Sequence, residues 1–162
     1  MMSKAALKPP PAADPYEGDF YLWTQAQAEL LRARRFDELD LESLIDEVAS
    51  VGGSEKREIE SRLTVLLGHL LKWKYQPGAR TNSWSATLFE QRTRIALILR
   101  ASPSLKRHPA GAFEASYLSG RLLASRDTGI DFTLFPQKPP FTVAQTLDLG
   151  YLPKEPDLLD QS

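Results

Sequence analysis

A chain of 162 residues without a cysteine has no disulfides, thiolate metal sites or cysteine nucleophiles, and at this length a single core carries a fold without such staples. Its composition, 42% hydrophobic and 25% charged, is globular, and no apolar run reaches the roughly 18 residues of a membrane span. The net charge of −1 conceals a division: residues 14–60 hold 13 acidic and 5 basic side chains, whereas residues 72–107 hold eight basic ones against Glu90 alone.

The first 15 residues, rich in Pro and Ala, read as an N-terminal arm whose apolar stretch is too short for a signal-peptide core. A cytoplasmic protein with no membrane association is expected. Residues 16–153 read as one helical domain and 154–162 as a tail. Phe20, Trp23, Gln27, Leu30, Leu31 and Arg34 follow helical spacing behind Asp19, a good N-cap. A second helix is expected after Asp40, with Leu41, Leu44, Ile45, Val48 and Val51 as its inward stripe and Glu42, Asp46 and Glu47 facing away. Gly52 and Gly53 should end or kink it.

Ser54 is then the cap of a third and longest helix, running to about Tyr75 on a stripe of Ile59, Leu63, Leu66, Leu67, Leu70 and Trp73. Gln76, Pro77 and Gly78 stop it. The fourth helix starts near Asn82 or Ser83 and carries Trp84, Leu88, Ile95, Ile98 and Leu99 inward. A fifth begins at Pro109, passes through Phe113, Tyr117, Gly120 and Ala124, and closes at Gly129. Residues 130–135 read as extended, and the capping-box spacing of Thr142 to Gln145 predicts a last short helix. The fold class is therefore all-α: an antiparallel bundle of about five main helices, with the third and fourth as its central hairpin and a short irregular C-terminal tail.

Catalytic signatures are missing. There is no Gly-rich phosphate loop, Walker pattern or nucleophile elbow, and neither His69 nor His108 has a Glu three residues before it, which removes the di-iron pattern. No catalytic residue, metal or cofactor is assigned, and a non-enzymatic protein is favoured. The carboxylates Glu38, Glu42, Asp46 and Glu47 read as a solvated helix face rather than a Mg²⁺ site. His108, in a turn before Pro109, reads as solvated.

Two groups carry the remaining expectations. Equal hairpin arms place His69 level with Glu90 and Gln91, which predicts a structural polar layer setting the hairpin register, and Gly68 fits a close helix approach there. The basic and aromatic residues Lys72, Lys74, Tyr75, Arg80, Arg92, Arg94 and Arg100 form the candidate interaction patch. If the two charge fields cancel within the chain, Arg92, Arg94 or Arg100 should pair with carboxylates such as Glu42 or Asp46; if not, an exposed basic face meets an acidic partner. Trp73 and Trp84 are expected to pack together at the bundle end, although with their basic neighbours they also suit a stacking surface for nucleic acid.

Several segments together resemble a bacterial family, the domain of unknown function family twenty-nine. They are YEGDFYLW at 16–23, ARRFDELDLESLI at 33–45, HLLKWKYQP at 69–77, SW at 83–84, EQR at 90–92, SPSL at 102–105 and FP at 135–136. Gly53 and Ser85 depart from the polar and basic residues expected there, and the run at 138–140 lacks the cysteine often found nearby. The resemblance implies an all-helical fold and supplies no activity, cofactor or catalytic residue. The leading function is a helical protein–protein association module, binding an unknown partner or itself; the alternative is nucleic-acid binding through residues 72–107.

Overall fold

The structure, a computed structural model, describes residues 14–156. Most of the expected N-terminal arm and the end of the expected tail lie outside this range. Among the described residues every regular element is helical: α1 (Pro15–Gly18), α2 (Phe20–Arg32), α3 (Leu41–Tyr75), α4 (Asn82–Ala101), α5 (His108–Thr128) and α6 (Val143–Leu147), with a single 3-10 turn at each junction from α2 onward. The all-α reading holds. No helix among these residues is long and apolar enough to cross a membrane.

The expected break at Gly52 and Gly53 is absent. The second and third helices of the sequence reading are one helix of 35 residues, and Ser54 lies inside it rather than at a cap. A helical glycine costs about 1 kcal/mol relative to alanine, which intact flanking hydrogen bonds can absorb. The glycines instead mark a division in packing, because the chain splits into two compact units between Val51 and Gly52.

The first unit holds α1, α2 and the opening turns of α3. Asp19 caps α2 by accepting from the Leu22 N–H at 3.0 Å. Its centre is Trp23, 4% exposed, with Tyr16 edge-on at 4.8 Å and Phe20 stacked at 5.8 Å. The indole N–H donates to Asp40 Oδ2 at 3.0 Å, and the Asp40 N–H donates to Gln27 Oε1 at 2.9 Å. Asp40 also accepts from the Ser43 N–H at 3.4 Å, as a capping residue should. Hydrogen bonds from Ser43, and then from the indole, hold its carboxyl below the ordinary range.

The second unit has the main core. Leu63, Leu66 and Leu70 of α3 and Leu88 and Ile95 of α4 are at most 1% exposed, as the stripes require, and Phe113, Tyr117 and Ala124 of α5 join them. Gly68 does permit a close approach, but to α5 rather than α4. A Cβ there would meet Leu123 Cδ2 at 2.6 Å and the Gly120 carbonyl oxygen at 3.1 Å, and one on Gly120 would meet the Gly68 nitrogen at 3.0 Å.

Gly129 ends α5 in the left-handed conformation, φ 73°. Residues 130–135 are not extended: Asp131 accepts from the Thr133 N–H at 2.8 Å and winds a 3-10 turn over Phe132–Leu134, delivering Phe135 to the core. The capping box at Thr142 and Gln145 is present and starts α6.

Candidate interaction surfaces

The seven residues of the basic and aromatic patch divide between the interior and the surface. Lys72 lies on the core side of α3, its side chain 8% exposed, with Nζ 3.2 Å from Asp127 and 4.8 Å over the Trp84 ring. Burial raises the Asp127 carboxyl, but hydrogen bonds from Lys72 and Arg126 outweigh it and hold the group below the ordinary range. Lys74 donates to the Lys154 carbonyl at 3.3 Å, and Tyr75 stands edge-on to Phe135 at 5.4 Å. Arg80 donates to the Trp73 carbonyl at 2.9 Å, pairs with Glu155 and lies 5.1 Å over the Trp73 ring. Trp73 and Trp84 thus each carry a cation on the ring face, where the sequence suggested that the two pack together.

Arg92, expected to seek a carboxylate such as Glu42 or Asp46, is 2% exposed and holds backbone carbonyls instead. Nε donates to Thr146 at 2.8 Å, Nη2 to Tyr151 at 2.9 Å and Nη1 to Leu149 at 3.5 Å. The chain leaving α6 presents carbonyls with no helical partner, and a planar guanidinium can serve three at once. Of the patch, only Arg94 and Arg100 remain exposed and without an ion pair among the described residues.

His69, Glu90 and Gln91 occupy three environments. His69 is half-buried and its Nδ1–H donates to the Val65 carbonyl at 2.9 Å, within its own helix. Burial is the main cause that lowers its basicity, with Lys72 adding to it. Gln91 Oε1 accepts from Arg62 Nη1 at 3.1 Å, and Glu90 is exposed. The contacts Lys72–Trp84 and Arg62–Gln91 lie roughly one to two turns of α4 from the level that equal arms imply. His108 is partly buried, its side chain 22% exposed, and Nε2 lies 2.9 Å from Glu60. Ser61 and Ser119 line the groove beside this pair. Among the described residues no group of three or more His, Asp or Glu side chains is disposed to hold a metal.

The feature that sequence reasoning placed wrongly lies in the first unit. Leu41, Ile45 and Val48, assigned to an inward stripe, are 59%, 58% and 68% exposed. They form one face at i, i+4 and i+7, with the exposed carboxylates Glu42 and Asp46 along one edge. Asp40 and Glu47 lie away from this row, and their contacts to Trp23 and Tyr16 show which side the first unit covers.

The model of a family described as Domain of unknown function DUF29 matches residues 15–152. No curated protein and no solved structure matches the chain.

Proposed function

Because the chain belongs to the DUF29 family, which is defined without an activity, we propose its function from its surfaces: a protein–protein association module that docks through the Leu41–Val48 side of α3. The observation that carries this reading is the exposed row Leu41, Ile45 and Val48. Burying one such side chain is worth about 1.5–3 kcal/mol, and anchors at i, i+4 and i+7 are the spacing by which a helix enters an apolar groove. Glu42 and Asp46 beside the row favour a partner with basic groups at the rim.

Nucleic acid has less to bind. Lys72 and Arg92 are buried, and Lys74 and Arg80 are committed to backbone carbonyls. A log-log salt slope near zero for retention on DNA is expected, against about −0.9 for each phosphate neutralised. The association reading is tested with the double variant Ile45→Glu, Val48→Glu as bait in its native cell extract. Capture of partners by the wild type should be lost in the variant at unchanged helicity; equal capture by both removes this face from the function.

A further inference from the structure

Resting on the association reading, we propose that the occupant of the acidic face is a second copy of this chain, which docks through the outer face of α4. That outer face is the complement of the first in both chemistry and charge. Phe89 and Leu97 are 58% and 47% exposed, and helical spacing sets them on one side of α4 with Arg100, with Arg94 at its edge. Arg94 and Arg100 are exposed and make no ion pair among the described residues.

The two faces match at the level of the whole sequence as well. Residues 14–51 hold ten acidic and three basic side chains, whereas the exposed charges of α4 are Arg94 and Arg100 against Glu90, Arg92 being buried. With 20 basic and 21 acidic residues overall, the charge that each face lacks is supplied by the same chain. Like faces repel: two acidic faces, or two arginine-bearing faces, would bring equal charges together as their apolar rows closed. Both rows are satisfied when the α3 face of one copy meets the α4 face of another. The form proposed is the closed one, a dimer about a twofold axis in which each copy offers both faces, with five large apolar side chains in each of two equivalent contacts.

The experiment is sedimentation equilibrium on the full chain and on two charge-reversal variants, Glu42→Lys with Asp46→Lys, and Arg94→Glu with Arg100→Glu. All four positions are exposed, and circular dichroism checks that helicity is kept. The wild type is expected to be dimeric at micromolar concentration, and each variant alone to dimerise on the order of tenfold more weakly or worse. Mixed one to one, the two variants make both contacts complementary again, so a mixed dimer of near wild-type affinity is expected, a result no misfolded chain would give. A monomeric wild type, a variant that dimerises as the wild type does, or a mixture that fails to associate would each overturn the proposal. A monomeric wild type whose Ile45→Glu, Val48→Glu form still loses a cellular partner overturns self-association and leaves the association reading standing. A monomeric wild type whose Ile45→Glu, Val48→Glu form captures the same partners as the wild type overturns the two together.

Discussion

Arg92 shows how little the sign of a side chain says about its place. Its charge is satisfied by carbonyls at Thr146, Leu149 and Tyr151, so it fastens the C-terminal segment to α4 from inside. Arg92→Leu is expected to cost about 2–4 kcal/mol, since a hydrogen bond to a charged group is worth about 1.5–3 kcal/mol and two of these are short. Arg92→Lys should recover little of it, because an ammonium has all its donors on one nitrogen and cannot reach carbonyls spread around the three nitrogens of a planar guanidinium. Urea unfolding measures the loss, and hydrogen exchange at residues 146–151 shows whether the segment detaches.

His69 gives a pH dependence with a definite sign. Its folded basicity is lowered, chiefly by burial, so the unfolded chain takes up a proton first as pH falls. Its contribution is therefore complete above the ordinary histidine value of about 6.5 and declines as pH drops from there toward the lower folded value. His69→Gln keeps an N–H for the Val65 carbonyl and cannot titrate. The gap in stability between variant and wild type is expected to move in favour of the variant between pH 7 and pH 5. A gap that stays constant across that range would show that His69 does not contribute in this way.

At the scale of the element, glycines in one helix have opposite roles. Gly68 is where α3 and α5 touch, and the added methyl of Gly68→Ala would press on a leucine tip that can yield and on a carbonyl that cannot. The gain of about 1 kcal/mol in helix propensity should be outweighed by overpacking of about 1–3 kcal/mol, a net loss of about 1–2 kcal/mol. At Gly52 a Cβ meets nothing within 4 Å, so Gly52→Ala is expected to stabilise by up to about 1 kcal/mol. Denaturant midpoints at constant slope compare the two. Local composition treats these glycines alike, and this is why the sequence predicts a helix end at Gly52–Gly53 where the helix continues.

For the whole molecule, burial is distributed unequally. The main core draws on residues 59–141, whereas the first unit buries only Trp23 and Gln27 among its described residues. Amides of α2 should therefore exchange at least about 10²-fold faster than those of Leu63–Leu71, since local opening follows local packing. Dimer formation through the α3 face should narrow that difference.

The sequence by itself determined the helices of the second unit, their apolar stripes, the caps at Asp19, Asp40 and Thr142, and the left-handed stop at Gly129. Each of these depends on neighbours within a few residues along the chain: a 3.6-residue period, a side-chain acceptor, a missing Cβ. Tertiary structure alone decided that α3 crosses Gly52–Gly53, that Gly68 meets α5, that Arg92 turns inward, and that Leu41, Ile45 and Val48 face out. Periodicity shows that a helix has an apolar side, but covering that side takes a second surface. Which surface arrives depends on residues far away in sequence, whose approach no local spacing encodes.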